Sequence, residues 1–187
     1  MTTLVALWLP ILVSALAVFV ISSLIHMVFK WHAADYAGFA NEDAVRDALR
    51  ASNPTVGRRY VVPYCADMKE MNSDALRKKY ADGPNAVIVL GPNGQPNMGK
   101  HLGQWFVLCL IVSSAAAFLT AKAYGVSAPA QGAAKMAGAI AFIGYGLGTI
   151  QESIWMYRSW KSTATYLLDA ALFAAGTWAV FLWLWPA

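Results

Sequence analysis

Apolar and polar positions separate into four long apolar runs and one long polar stretch. The first run covers residues 4–29, and at about 1.5 Å per residue its roughly 26 residues cross a hydrocarbon core with some tilt. The second covers residues 102–124, the third starts near Ala134 and ends between Trp155 and Tyr157, and the fourth extends from Thr163 to Trp185. The last two form a hairpin around the short polar turn Arg158, Ser159, Trp160 and Lys161. No Lys or Arg precedes the first run and its apolar part is longer than that of a signal peptide, so it reads as an uncleaved anchor, slightly kinked at Pro10. The middle of the second run, residues 113–117, is made of Ser and Ala, which suits close helix contacts in lipid. Tryptophans at both ends of the hairpin (Trp155 and Trp160; Trp178, Trp183 and Trp185) suit interfacial belts.

The polar stretch, residues 30–101, carries its own start and stop signals. Asn41 predicts a helix N-cap, with Ala44, Val45, Ala48 and Leu49 as an apolar face and a stop at Asn53-Pro54. Residues 60–64 read as an edge strand because of Pro63. Ser73 predicts the cap of a second helix ending near Tyr80, with Gly83 beyond it, and residues 86–90 read as a stronger strand before a Gly-Pro-Asn-Gly turn. At about 70 residues this segment is too small for a large independent core, and it is expected to lie as a cap on the membrane domain.

Composition and charge sharpen that picture. The chain is 58% hydrophobic and 13% charged, against roughly 25% charged for soluble domains, so it cannot cover a water-facing surface. The expected fold class is an all-α membrane protein. It has four transmembrane helices with a small α+β cytoplasmic cap between helices 1 and 2, dividing the chain at residues 1–29, 30–101 and 102–187. Most of the Lys and Arg lie in the polar stretch and the hairpin turn, leaving Lys122 and Lys135 for the other side. By the positive-inside rule the cap is cytoplasmic and both termini are outside. The net charge of +4 is explained by these flanks, and without a helix-turn-helix or basic-aromatic repeat nucleic acid is excluded as a partner. Cys65 and Cys109 fall in different environments and carry no zinc spacing, and no metal or cofactor is expected.

Candidate chemistry centres on two acids. Glu152 and Asp169 lie about equally far from the hairpin turn, which puts them at one depth, where each charge costs roughly 2.5–3.5 kcal/mol on insertion scales. His26 and Gln104 reach a similar level, so His26, Gln104, Glu152 and Asp169 form a candidate proton or cation site, with hydrogen-bonded helix packing as the plainer reading. Ala134, Gly138, Ala141, Gly144, Gly148 and Glu152 make a small-residue stripe, with Gly138, Gly144 and Gly148 as the packing glycines. The Gly94 to Lys100 spacing imitates a phosphate loop but has His101 where the Mg²⁺-binding hydroxyl belongs. The surviving reading is a helix start whose free N–H groups at Gly99, Lys100 and His101 meet an anionic lipid headgroup. His32 reads as a boundary residue beside Trp31.

Residues 91–106, GPNGQPNMGKHLGQWF, with Asn41-Glu-Asp-Ala-Val-Arg46 upstream, resemble a set of uncharacterised bacterial four-span inner-membrane proteins. The resemblance implies a bacterial inner-membrane location and no activity. With no enzyme signature present, the expected function is a non-enzymatic accessory, assembly or scaffold subunit of a membrane complex. Its partners would be the lipid bilayer and a protein partner or second copy bound through small-residue helix faces. The alternative is a small transporter or channel subunit with its ion site at Glu152 and Asp169. A lipid- or quinone-binding enzyme subunit is a third reading.

Overall fold

The computed structural model describes residues 2–186 and divides into two units. One holds the chain through Tyr36, Asn97–Ser153 and everything from Arg158 onward; the other holds Ala37–Pro96 with Ile154–Tyr157.

In the first unit a short α1 (Thr2–Ala6) leads into α2 (Trp8–Leu24), and α5 (Met98–Tyr124), α6 (Ala130–Gly146), the part of α7 (Ile150–Trp155) through Ser153, and α8 (Trp160–Leu184) follow. Four helical segments are long and apolar enough to cross a membrane: Trp8–Phe29, Met98–Tyr124, Ala130–Trp155 and Trp160–Leu184. Three of them begin a turn or so before their apolar runs. The chain enters them through Asn97, Pro129 and Ser159, and the Asn97 and Ser159 side chains accept from Lys100 and Ser162 N–H. Pro10 acts earlier than expected. It cannot donate to the carbonyl of Ala6, and the helix breaks at Leu7 between α1 and α2.

The helices close into a ring in which α2 packs on α5 and α8, and α6 packs on α5 and α8. At one end of the ring Leu7 and Ile11 meet Ala116, Ala117, Ala121, Ala133, Ala134, Ala137, Phe181 and Trp185, so the start of α2 and the end of α8 share that end. Towards the other end Ala15, Val18, Ile25, Cys109 and Phe173 pack with Trp105 and Tyr145. Midway, Ser113 Oγ donates to Ser14 Oγ (3.3 Å) and Ser14 Oγ donates to Thr177 Oγ1 (3.2 Å), which ties three helices through hydroxyls buried inside the ring. The outside of the ring is apolar: Leu16, Val20, Val107, Ile111, Leu119 and Leu168 are exposed, a surface compatible with lipid. Trp178 and Trp183 face outward as belt residues do, but Trp185 is buried and stacks on Phe181.

Small residues let the helices approach. A Cβ on Gly138 would stand 3.1 Å from Trp178 Cβ and 3.2 Å from the Ala174 carbonyl, and one on Gly144 would stand 3.2 Å from Val112 Cγ1. Gly148 departs from the expected stripe, since a Cβ there meets nothing. The cause is a 3₁₀ turn at Leu147–Thr149 between α6 and α7. Its tighter winding rotates everything after it off the stripe, Glu152 included.

The second unit contains α3 (Glu42–Ala51), β1 (Arg59–Val62), α4 (Asp74–Asp82) and β2 (Ala86–Val89). The strands pair antiparallel with Tyr60 opposite Ile88, and β1 stops before Pro63, which has no N–H to give. Asn41 accepts from Ala44 N–H and Ser73 accepts from Leu76 N–H, as the cap signals require, and Gly83 follows α4 at φ +64°. Only Val45 and Leu49 of the predicted α3 face are even half-buried. Replacing Ser73 by Ala is expected to destabilise this unit by about 1 kcal/mol. Faster hydrogen exchange at the Leu76 amide measures the effect; unchanged exchange would show that the cap carries no weight.

Candidate functional site

The site is built where α2 ends. Ser22 and Ser23 hydroxyls donate to the Phe19 carbonyl, and the Nδ1 of His26 bonds to the Ser22 carbonyl at 2.9 Å. Side chains that compete for ladder carbonyls loosen a helix. Here the winding opens into a π turn, Ile25–Phe29, closed by Lys30 N–H donating to the Ile25 carbonyl. Lys30 then adopts φ +53° and a 3₁₀ turn, Trp31–Asp35, folds back against α8. The reversal carries Trp31 and His32 to the side chain of Asp169.

Asp169 is buried, and both its oxygens are used. Trp31 Nε1 donates to Oδ1 at 3.0 Å, and His32 Nε2 lies 2.6 Å from Oδ2. The other ring nitrogen of His32, Nδ1, lies 3.0 Å from Asp35 Oδ2. One buried imidazole is thus held between two carboxylates. The His26 ring stacks on it at 5.1 Å and 16° between planes, and the Tyr166 ring covers it at 4.4 Å. Tyr166 in turn carries the Arg158 guanidinium, 4.6 Å from its ring centre. Burial would lower the pKa of His32, but the hydrogen bonds to Asp35 and Asp169 and their charges outweigh it and hold the imidazole above its usual value. The hydrogen bond from His32 holds the Asp35 carboxyl below the carboxylate range against its partial desolvation. Ser162 and the charges of His32 and Arg158 add to that effect.

Of the four residues expected to converge, the structure brings together His26 and Asp169. Glu152 is half-buried on the rotated turn, and Gln104 is exposed. Among the described residues neither makes a side-chain hydrogen bond or ion pair, so the site does not form around Glu152 and Asp169. His32, read as a boundary residue, is its centre. A local signal was present: His32 and Asp35 are three apart and share one side of a 3₁₀ turn, where residues i and i+3 eclipse.

The expected lipid contact is also altered. Gly99, Lys100 and His101 are exposed at the start of α5, but Lys100 N–H donates to Asn97 Oδ1 at 3.0 Å and His101 N–H to the Asn97 carbonyl at 3.1 Å. Asn97 has taken two donors that a headgroup would need.

A ring nitrogen from His26, one from His32 and an oxygen of Asp169 lie within 4.8 Å of one another, the donor set of a borderline metal ion. Neither a protein-family model, nor a curated protein, nor a solved structure matches this chain.

Proposed function

We propose that this protein is a small transporter or channel subunit of the bacterial inner membrane, handling a cation at His32, Asp35 and Asp169. The observation that supports this most is the convergence of two carboxylates on a single buried imidazole. Asp35 is exposed and feels the Arg158 guanidinium, but Asp169 is buried, and whenever His32 is neutral a cation beside Asp169 would offset a charge that is costly to leave alone there. Exposed His26, stacked on His32, supplies a route in from outside the bundle. On the charge bias of the flanks, the site belongs to the cytoplasmic end of the bundle and both termini to the periplasm.

The accessory or scaffold reading draws on small-residue helix faces. Gly138 and Gly144 spend theirs inside the bundle, as do Gly146 against Ala170 and Gly176 against Ile21, and what faces outward is large and apolar. That distribution favours lipid over a partner helix. Reconstituted into liposomes with an imposed proton or cation gradient, the protein is expected to carry a flux that Asp169→Asn cuts roughly tenfold, the worth of one charge-assisted hydrogen bond. No flux from the unaltered protein, or the same flux from Asp169→Asn and Asp35→Asn, would sink this reading.

A further inference from the structure

The two histidines share a feature that proton handling alone does not require. Each commits Nδ1 to an outer acceptor: His32 to the Asp35 carboxylate at 3.0 Å, His26 to the Ser22 carbonyl at 2.9 Å. An imidazole held this way keeps its proton on Nδ1 when an ion binds and gives the Nε2 lone pair; at His32 the ion displaces to solvent the Nε2 proton that bonds to Asp169 in its absence. A carboxylate or backbone carbonyl behind the ring is the usual support for a metal-ligating histidine. Asp169 is oriented in the same manner, because the Trp31 indole N–H fixes Oδ1 and turns Oδ2 to the His32 ring. All three ligand side chains therefore have a second partner that sets their direction. They come from the π turn, the 3₁₀ turn and α8, elements that only the chain reversal brings together.

We infer that His26, His32 and Asp169 bind a divalent first-row transition metal ion of the Zn²⁺ class. Two imidazoles and a carboxylate are too soft a set for Mg²⁺ or Ca²⁺, and they lack the thiolate or thioether that selects Cu(I). Metal bonds of about 2.0–2.2 Å at a tetrahedral angle put neighbouring donor atoms roughly 3.3 Å apart. The His32 and Asp169 donors, 2.6 Å apart, need only a small separation for the ion to replace the hydrogen bond between them. The exposed His26 ring, stacked at 16° to His32 with the three donors within 4.8 Å, must turn and close in to complete the set. Three protein ligands leave a fourth coordination position for water or an exchanging ligand, as sites that do chemistry or release their ion have, and exposed His26 places that position within reach of solvent. The inference rests on the cation-site reading for the charge the site attracts, but it does not require transport.

The test uses the full chain in mild detergent, stripped with a chelator and titrated with Zn²⁺ by calorimetry and with Co²⁺ by visible absorption. One equivalent per chain is expected, with a Co²⁺ spectrum of nitrogen and oxygen ligands and no competition from millimolar Mg²⁺. His26→Gln removes an exposed ligand without opening the buried pair, and it is expected to weaken Zn²⁺ roughly 10- to 100-fold. Asp169→Asn should do at least as much, while Glu152→Gln should bind as the unaltered chain does. Absent binding, binding indifferent to His26→Gln, or binding lost in Glu152→Gln would each overturn the metal site. Flux by a chain that takes up no Zn²⁺ would overturn the metal and leave the transport reading standing; stoichiometric Zn²⁺ without flux would do the reverse.

Discussion

Asp169→Ala is expected to destabilise the bundle by about 3–5 kcal/mol, the cost of breaking a buried charged pair by removing one partner. The large value follows from what stays behind. Asp169 is the acceptor for two buried or half-buried donors, Trp31 Nε1 and His32 Nε2, and neither has another acceptor of comparable geometry. Each would remain out of water and unpaired, and His32 would keep one carboxylate where it now has two. The 3₁₀ turn would lose its two side-chain hydrogen bonds to Asp169. Asp169→Asn should cost less, because its amide oxygen still accepts from Trp31. Unfolding by SDS titration from mild detergent micelles, in the presence of a chelator, measures both. If Asp169→Ala unfolds at the same SDS fraction as the unaltered chain, residues 30–36 do not depend on this contact.

The second large effect concerns Gly146→Ala. A Cβ at that position would sit 2.9 Å from the Cβ of Ala170 and 3.4 Å from Leu167 Cδ2. Ala170 Cβ is fixed to its backbone, so α6 and α8 must move apart at that point. Overpacking of this kind costs typically about 1–3 kcal/mol. Gly148→Ala, two residues later, adds a methyl to open space and is expected to be neutral or slightly stabilising. The same SDS titration reports both, and the pair separates packing from glycine's backbone freedom. Equal effects would mean that the close approach at Gly146 is relaxed in solution.

The proposed site and these two predictions share one origin, the break in helical winding. A regular helix through residues 147–152 would have left Gly148 and Glu152 on the packed stripe with Gly144; the 3₁₀ turn rotates them away. A regular end to α2 would have left His32 beyond the bundle; the π turn and Lys30 at φ +53° return it to Asp169. Sites with irregular winding are also where side chains can be aimed independently of the helical repeat.

Much was legible before any coordinates. Four apolar runs of spanning length, the caps at Asn41 and Ser73, the glycine after α4 and the two strands all follow from local chemistry. Each depends on residues a few positions apart. That Asp169 needed a partner was legible too, because a lone acid in an apolar helix has to be compensated. Which partner it takes was not. Counting residues from the hairpin turn assigns depth only if every helix winds at 3.6 residues per turn, and two of the relevant segments do not. His32 and Trp31 meet Asp169 across more than a hundred residues of sequence. Their meeting depends on a backbone reversal set by hydroxyl and imidazole competition for carbonyls at Phe19 and Ser22. Hydrophobic pattern and capping chemistry are short-ranged, so they determine the elements. The site depends on where winding fails and which side chains the ring of helices then encloses, and only the tertiary structure decides that.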